Sequence, residues 1–439
     1  MNSNKGVTHP ISGRTKIGIR AVQLGLKPVT SRCPLTMNFA EKSSKPVAVF
    51  QGSKFRRMPI EEESPEEREG GYGAIVNNLA ESSCTDRTWG DLQALGVSIP
   101  ANLMIQYSDH KGLLALRSAI AADGGESLSP SDVLLAGGGA ATALYLIHSC
   151  LLGQSSNLLV LRPNYATNLE TPRAIGCNID FFDLSLTKGW QLDVDEFCNR
   201  IKPDTTLVSI TTPHNPSGVI ISQFTIMKIV TRMVAVAPHC RLLVDETYRE
   251  MMLDLDQDNN LPLAATLHPR IISVSSLSKT YGLPGLRMGW IVSQDAALMN
   301  KLLCAKEQIV LSGSVLDEEV SAQVLAKKAD LLPQIRSEIR MRRAVVLEWL
   351  SHNKDIVECT VPQGGVVCFP HITAKIDTTV FYERLYAETG TIVGPGHWFE
   401  QSDTFFRLGF GWSTVEQLHT GLACISKLIR ELATGGNSA

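Results

Sequence analysis

The stretch at residues 273–290, SVSSLSKTYGLPGLRMGW, constrains the fold of this chain more than any other. It continues an apolar, β-branched run (Ile271, Ile272 and Val274) that is typical of a buried strand, and it ends in a turn rich in glycine and proline. One lysine, Lys279, lies where the strand gives way to the turn. Because an unpaired ammonium group is costly beside a buried sheet, the pattern predicts that the charge of Lys279 is paired or is removed by a covalent bond such as a Schiff base.

The neighbours of Lys279 suit a phosphate group. Ser276 and Ser278 offer hydroxyl groups on its flank, and Arg287 supplies a guanidinium that can bind phosphate through two parallel hydrogen bonds. A lone lysine is usually a solvated surface residue, but here an amine able to capture an aldehyde shares a loop with a phosphate clamp. This combination indicates pyridoxal phosphate (PLP), the cofactor most often held by a lysine in this way.

Glycines or polar residues follow three further strands of the expected sheet. Residues 133–150, VLLAGGGAATALYLIHSC, are typical of a strand, a glycine turn and a helix whose free N–H groups can cradle an anion. The strand at 206–210 leads to Asn215, and the strand at 240–244 ends at Asp245. Open parallel α/β sheets bind ligands at the carboxyl ends of their strands. The sequence therefore predicts one ligand site assembled from these loops.

In this order, the stretches resemble the fold-type I PLP-dependent aminotransferases, the class I and II aminotransferase family, from residue 72 to the C-terminus. The resemblance implies an α/β fold with a mostly parallel sheet flanked by helices (the large PLP-binding domain) and a smaller α/β domain. It also implies a homodimer with its sites at the subunit interface. The expected domains are an N-terminal tail (1–70), the N-terminal part of the small domain (71–105), the large domain (106–308), and the interdomain helix with the C-terminal small domain (309–433).

The resemblance assigns roles to the residues that match the family's motifs. Lys279 would hold PLP and move the α-proton of the substrate, and the other catalytic residues would be Asp245 at the pyridine nitrogen and Tyr248 at the phenolic oxygen. Arg407 would bind the substrate carboxylate together with Asn215. The remaining cofactor contacts would be the ring-stacking Tyr165, Asn215 at the phenolic oxygen, and the phosphate ligands Gly139, Ala140, Ala141, Ser276, Ser278, Arg287 and, from the partner subunit, Tyr107.

Other polar residues and one helix carry expectations without a catalytic role. We expect His214 to pack beside Asn215, and Glu246 and Arg249 to be solvated, because charged side chains are mostly exposed. Helical periodicity over residues 301–350 predicts the long helix that connects the two domains.

The reaction implied by the resemblance is transamination between an α-amino acid and a 2-oxo acid, both small molecules. Local motifs such as TWGDLQAL and VPQGGVVCFP are also similar to capreomycidine synthase, a member of this fold that cyclises an arginine derivative through elimination. Such a substrate would give Glu81, Asp86 or Asp91 a guanidinium group to pair with. A third alternative is a PLP-binding regulator without catalysis, which would be expected to lack the cofactor lysine, the strand-end aspartate or the carboxylate-binding arginine.

Composition narrows the class of partners. The chain has 44% hydrophobic residues, a formal net charge of −3 and no apolar run long enough to span a bilayer, so we expect neither nucleic acid nor a membrane as a partner. Its ten cysteines show no C-x-x-C and no paired Cys/His spacing. We therefore expect no metal site and a reducing, cytoplasmic location.

The N-terminal 70 residues differ in composition from the rest. The first 40 contain six basic residues and no acidic residue, which is typical either of a disordered basic tail or of an organelle transit peptide. The acidic block EEESPEERE follows at residues 61–69. We expect this block to be solvated and mobile, and we expect no catalytic residue in the tail.

Overall fold

The computed structural model describes residues 55–68, 70–253 and 262–435, so the expectations for residues 1–54 lie outside the described residues. In chain order, the strands found there are β1 (Asn77–Asn78), β2 (Val133–Gly137), β3 (Asn157–Arg162), β4 (Asn178–Asp183), β5 (Thr205–Thr211), β6 (Arg241–Asp245), β7 (Ile271–Ser276), β8 (Met288–Val292), β9 (Val357–Glu358), β10 (Val367–Cys368), β11 (His371–Ile372), β12 (Thr391–Ile392), β13 (Gly394–Pro395) and β14 (Phe406–Gly409).

Helices connect and cover these strands. In chain order they are α1 (Pro59–Glu62), α2 (Trp89–Ala94), α3 (Leu114–Ala121), α4 (Ala140–Leu151), α5 (Thr167–Ile175), α6 (Val194–Arg200), α7 (Gln223–Val236), α8 (Ala296–Val310), α9 (Val315–Ala326), α10 (Lys328–His352), α11 (Thr378–Thr389) and α12 (Val415–Gly435). Several begin at a residue whose side chain accepts a hydrogen bond from the first turn, as Ser222 does for α7 and Asp295 for α8. None of the helices in the described ranges is both long enough and apolar enough to cross a membrane.

The central sheet has seven strands in the order β2-β8-β7-β6-β5-β3-β4. The pairs from β7 to β4 are parallel, whereas β8 runs antiparallel to both of its neighbours. Alternate residues of one strand pack on opposite faces: in β6, Leu242 and Val244 join the core that contains α6 and α7, and Leu243 joins the core that contains α4 and α8. The expected α/β fold, a mostly parallel sheet flanked by helices, is confirmed.

Residues from the two ends of the chain form smaller sheets beside this one. β1 pairs with β12 in parallel, and β14 lies between β10 and β13 in an antiparallel sheet. The stretch after β1 and the strand β14 therefore lie together, which matters below because each contributes to the cavity. The exact domain boundaries stay a prediction.

The long helix predicted over residues 301–350 is divided into α8, α9 and α10. The break between α8 and α9 follows from local conformation, because Leu311 leaves the helix with a φ of 29° and Ser314 starts the next helix by accepting a hydrogen bond from the backbone N–H of Asp317. The prediction of one continuous helix was wrong in this part, and the long helix begins at Lys328.

The described part of the N-terminal tail, residues 55–68, is ordered against the body of the protein, and we call it the strap. Arg56 binds Glu170 through two hydrogen bonds of 2.7 Å, and the Glu63 carboxylate accepts a 3.0 Å hydrogen bond from the indole nitrogen of Trp398. For the strap, the expectation that the acidic block is mobile is therefore wrong. Its charged side chains find partners that are distant in sequence.

Candidate active site

A cavity opens at the carboxyl ends of the parallel strands. Its walls contain eleven of the thirteen residues predicted for the site and further residues from the strap and from the stretch after β1. The predicted residues in the lining are Ala140, Ala141, Tyr165, Asn215, Asp245, Tyr248, Ser276, Ser278, Lys279, Arg287 and Arg407. The structure thus brings the loops after β2, β3, β5, β6 and β7 to one place.

Lys279 lies in the turn after β7, and its ammonium group is held by two residues that follow β1. Its Nζ donates to Ser82 Oγ at 3.1 Å and lies 3.5 Å from Glu81 Oε1. Burial lowers the pKa of Lys279, but the negative charge of Glu81 leads the effects that oppose it, and the net pKa is above the usual value. Without a covalent partner, Lys279 is therefore a paired cation. Capture of an aldehyde removes the charge that burial disfavours.

The turn between β2 and α4 has the shape of a phosphate cradle. Gly138 and Gly139 both have positive φ angles, 107° and 81°, that side-chain-bearing residues rarely adopt, and α4 begins directly after them. A Cβ atom added at Gly289 on the neighbouring β8 would lie 2.4 Å from the carbonyl carbon of Gly139, so only glycine fits there. The close approach leaves the N-terminus of α4 facing the cavity.

Arg287 completes the cradle. Its Nη2 donates to the carbonyl oxygen of Gly138 at 2.6 Å, and its Nη1 donates to that of Pro284 at 2.9 Å. A Cβ atom added at Gly139 would lie 3.3 Å from this guanidinium and 3.7 Å from Ser278 Oγ. A guanidinium, a hydroxyl group and a helix N-terminus thus converge on space that a side chain would fill, which fits the phosphate of PLP.

Asp245, the last residue of β6, lies buried in the cavity wall. Thr247 donates two hydrogen bonds to its Oδ1, from Oγ1 at 2.6 Å and from the backbone N–H at 3.2 Å. Burial raises the pKa of the Asp245 carboxyl, and the hydrogen bonds only partly offset this effect. A buried carboxylate of this kind is stabilised by a cationic N–H donor, and the protonated pyridine nitrogen of PLP is such a donor.

Arg407 on β14 is buried in the opposite wall. Its Nη2 donates to the carbonyl oxygen of Ala80 at 2.7 Å, and its Nη1 donates to Asn215 Oδ1 at 3.3 Å. Its Nε has no hydrogen-bond partner within the described residues. Burial lowers the pKa of this guanidinium. A buried cation with an unused donor in a cavity is suited to a carboxylate ligand.

Tyr165, Tyr248 and Tyr107 differ in their placement. Tyr165 and Tyr248 line the cavity, and the hydroxyl group of Tyr248 donates to the carbonyl oxygen of Ser82 at 2.8 Å. Tyr107, by contrast, is four-fifths exposed and is absent from the lining. Its assignment to a partner subunit, like the roles of the other predicted site residues, stays a prediction.

Sequence reasoning missed several residues of the cavity wall. For Glu81 the sequence suggests only a substrate guanidinium as a partner, yet the structure pairs it with Lys279. Burial raises the pKa of Glu81, but the positive charges of Lys279 and Arg407 outweigh this effect and lower it. The other unpredicted lining residues include Ile60, Glu61, Ser64, Pro65, Ser82, Thr211, Thr247 and Trp398. The Thr247 contact has a local sequence signal, since Asp245 accepts from a residue two positions later, whereas the strap has none.

Two charged residues that follow Asp245 in the sequence, Glu246 and Arg249, are placed differently from the expectation. Glu246 and Arg249 were expected to be solvated, but both are buried, with exposures of 3% and 6%. They pair with each other at 3.7 Å, and Arg249 also pairs with Asp123 at 2.5 Å. That expectation was wrong because the partners that compensate these charges come from distant segments. His214 packs as expected, with its ring nitrogens bonded to Ser217 Oγ and the carbonyl oxygen of Pro163.

Comparison with known proteins gives the family. The model of the family described as aminotransferase class I and II matches residues 102–425. The chain is 32% identical over 375 residues to capreomycidine synthase of Streptomyces vinaceus, covering 83% of this chain and 92% of that protein. It is 26% identical over 334 residues to the arginine–pyruvate transaminase AruH of Pseudomonas aeruginosa, covering 74% of this chain and 80% of that protein.

A solved structure with the same fold is a PLP-dependent aminotransferase from Streptococcus suis, with a TM-score of 0.75 at 24% identity. The similarity covers 82% of this chain and 94% of that chain. The family match, the shared fold and the fit of the cavity to PLP agree. The chain therefore belongs to the class I and II aminotransferase family and is a PLP-dependent aminotransferase of fold type I.

Proposed function

We propose that the amino donor of this aminotransferase is an α-amino acid with a cationic side chain, of the arginine class, and that the acceptor is a 2-oxo acid. The observation that carries the proposal is the position of Glu81, which lines the same cavity as Lys279 and Arg407. The family assignment gives the reaction, and Glu81 gives the class of donor.

The charges of the cavity change when the cofactor is held. Lys279 is the cation nearest to Glu81, at 3.5 Å, and it would no longer be a free ammonium group when it holds PLP. The remaining buried cation of the cavity wall, Arg407, is taken up by the substrate carboxylate. Glu81 is then a largely buried carboxylate that needs a new partner, and a guanidinium or ammonium group on the donor supplies one.

The residues of the chain divide the chemistry among them. When bound, PLP supplies an electron sink for the negative charge that develops at the substrate's α-carbon. Asp245 holds a proton at the pyridine nitrogen, and Arg407 orients the substrate through its carboxylate. Lys279 is the titratable amine in the cavity that can take up and return the α-proton.

One of the two sequence relatives supports the cationic donor by its name, which is arginine–pyruvate transaminase. The name of the other, capreomycidine synthase, states no class of side chain.

The test is a comparison of arginine with citrulline, which replaces the guanidinium by a neutral ureido group of nearly the same shape. We expect wild-type kcat/KM to favour arginine by about a hundredfold, as for a charge-assisted contact in a partly buried site. Glu81→Gln should reduce this preference to below about tenfold, mainly through the KM for arginine. Equal use of both donors by the wild type would contradict the proposal.

A second candidate reaction is elimination and cyclisation of an arginine derivative. The observation that favours it is the 32% identity to capreomycidine synthase over 92% of that protein. The two reactions differ in nitrogen balance, because transamination moves the donor's amino group to the 2-oxo acid and cyclisation keeps it in the product. Isotopic labelling of the donor α-nitrogen, followed by mass spectrometry of both products, distinguishes them.

We also propose that the active unit is a homodimer. Several large apolar side chains lie exposed around the segment that contains Tyr107, namely Ile99, Met104, Ile105 and Leu114. A Tyr107→Ala subunit mixed with a Lys279→Ala subunit should regain activity, because each mixed dimer would contain one intact site. Two separately inactive variants that stay inactive after subunit exchange would contradict this.

The cytoplasmic location is likewise a proposal, tested by imaging a fluorescent fusion in cells.

A further inference from the structure

The strap forms one side of the substrate cavity. Ile60, Glu61, Ser64 and Pro65 line the cavity together with the residues of the candidate active site. The strap reaches this position as a short helix, α1, that starts at Pro59, and Pro65 is buried. A segment that the sequence assigns to a solvated tail is therefore part of the wall.

Glu63 fastens the strap to a neighbouring part of the same wall. Its carboxylate accepts a hydrogen bond of 3.0 Å from Trp398 Nε1 and lies 3.1 Å from His397 Nε2. The other ring nitrogen of His397 lies 2.8 Å from Asp403 Oδ1. Because Trp398 itself lines the cavity, the attachment fixes the strap beside the place where the substrate binds.

A second attachment holds the start of the strap. The Arg56 guanidinium forms two hydrogen bonds of 2.7 Å to Glu170, whose carboxylate also accepts one of 2.7 Å from Arg173. Two parallel hydrogen bonds fix orientation as well as distance. Attached at Arg56 and at Glu63, the strap holds the residues between them, including Glu61, over the cavity.

We propose that the strap is a specificity element of the substrate site, in which Glu61 binds the distal cation of the donor and Glu63 is a positioning residue. This inference rests on the proposed function, since it assigns the cationic end of the donor to a second carboxylate besides Glu81. Arg407, which lines the same cavity, binds the donor's carboxylate in this assignment. Glu61 and Glu81 come from separate segments, and both line the cavity that contains Arg407.

The test of Glu61 uses a matched pair of neutralising variants in the same helix. Glu61→Gln removes the charge that lines the cavity, whereas Glu62→Gln removes an exposed charge that does not line it. With Glu61→Gln we expect the KM for arginine to rise about tenfold. The kcat for arginine, and both the kcat and the KM for citrulline, should stay within about twofold of the wild-type values. Glu62→Gln should leave the kcat and the KM for both donors within about twofold of the wild-type values.

The test of Glu63 adds a readout that does not depend on activity. Glu63→Gln keeps the size of the side chain but weakens its contacts to Trp398 and His397. We expect trypsin to cleave after Arg57 about tenfold faster in this variant, because the strap detaches more often, and the KM for both donors to rise. Unchanged cleavage would overturn the positioning role.

The outcomes separate this inference from the proposed function. If the wild type prefers arginine but Glu61→Gln and Glu62→Gln have equal effects, the strap inference is wrong and the donor class stands. If the wild type uses citrulline as well as arginine, the donor class is wrong, and with it the role of Glu61. A tenfold effect confined to Glu61→Gln and to arginine supports both.

Discussion

Two buried groups of charges lie close together in this protein and differ in how completely they are paired. The first is the charge group of the cavity, which consists of Lys279, Glu81, Asp245 and Arg407. The second lies around Arg249, and we call it the Arg249 cluster; its members are Asp123, Glu246, Arg249, Glu250, Lys328 and Arg336. Asp245 and Glu246 are adjacent in the sequence, yet they belong to different groups.

The charges of the Arg249 cluster are mostly paired with one another. Arg249 lies 2.5 Å from Asp123, 3.7 Å from Glu246 and 3.6 Å from Glu250. Burial lowers the pKa of Arg249, but these three carboxylates together raise it well above the usual value. Burial raises the pKa of Glu246 to about 7, so the positive charges of the cluster do not fully compensate the burial of this carboxylate.

The charges of the cavity are paired incompletely. Arg407 has an unused donor, Asp245 is hydrogen-bonded by the uncharged Thr247, and the partner of Glu81 is the lysine that PLP takes over. Burial of charge therefore does not by itself mark a functional site. A functional site is marked by a buried charge whose partners are missing or can be removed.

The largest effect is expected from Lys279→Ala. Transamination should fall by about ten-thousandfold, because Lys279 is the residue proposed both to hold PLP and to move the proton. Steady-state kinetics and the visible absorbance of the bound cofactor are the measurements. Lys427→Ala, at a lysine 79% exposed on α12, is the control and should keep wild-type activity. Substantial activity in Lys279→Ala would show that the cavity lysine is no more necessary for catalysis than the charges of the Arg249 cluster.

The next largest effect is a loss of stability on substitution in the Arg249 cluster. Arg249→Met should lower the free energy of unfolding by about 4 kcal/mol, since it leaves buried carboxylates without their cation. Denaturant unfolding measures the loss, and kcat/KM per folded molecule should change by less than about threefold. A stable variant with greatly reduced kcat would instead show that the Arg249 cluster belongs to the catalytic machinery.

Arg407→Lys tests whether the geometry of the cavity cation matters beyond its charge. Lysine keeps the positive charge but cannot form two parallel hydrogen bonds to a carboxylate, so kcat/KM should fall by about thirtyfold. The control is Arg200→Lys, at a half-exposed arginine paired with Asp180, which should have kinetics like those of the wild type. If both variants retain full kcat/KM, the unused donor of Arg407 does not bind the substrate.

The smallest effect is expected where a charge cluster is exposed to solvent, at His397. Burial lowers its pKa, but Asp403 and Glu63 raise it more, to about 9 from an ordinary 6.5. A histidine pKa raised by folding adds stability that is complete below about pH 6.5, declines as the pH rises, and is lost above about pH 9.

The corresponding variant is His397→Gln, with thermal unfolding as the measurement. Its melting temperature should lie a few degrees below that of the wild type near pH 6, and the two should converge near pH 9.5. Arg68 also acts on the pKa of Glu63, which its positive charge lowers. His352→Gln, at an exposed histidine, serves as control. A difference that is constant from pH 6 to 9.5 would show that the ion pairs of His397 do not stabilise the strap.

The parts of the fold and site that the sequence predicts are those with local signals. The apolar runs that end at Asp245 and before Lys279 have the pattern of buried parallel strands, and the glycines before α4 have the pattern of an anion cradle. Parallel topology then places these strand ends together, so most of the predicted residues meet in one cavity. Arg407 reaches the cavity from β14 of a smaller sheet and donates to Asn215, which is 192 residues away in the sequence.

The parts that were missed depend on pairings without a local signal. Glu63 and Trp398 are separated by 335 residues, and an acidic block such as the one around Glu63 is normally solvated. Glu246 and Arg249 look like solvated charges until Asp123 is brought to them by the fold. Side-chain pairing between distant segments is a property of the packed structure and is not encoded in periodicity or turn chemistry.

The most direct test of the central claim is a single half-reaction without any 2-oxo acid. Purified protein loaded with PLP is mixed with arginine, and the absorbance of the cofactor is followed while the products are identified by mass spectrometry. The claim predicts conversion of the cofactor to its amine form with one equivalent of the 2-oxo acid of arginine per site, and a much smaller yield from citrulline at the same concentration. Turnover of arginine with the cofactor remaining in its aldehyde form, or equal conversion by citrulline, would contradict it.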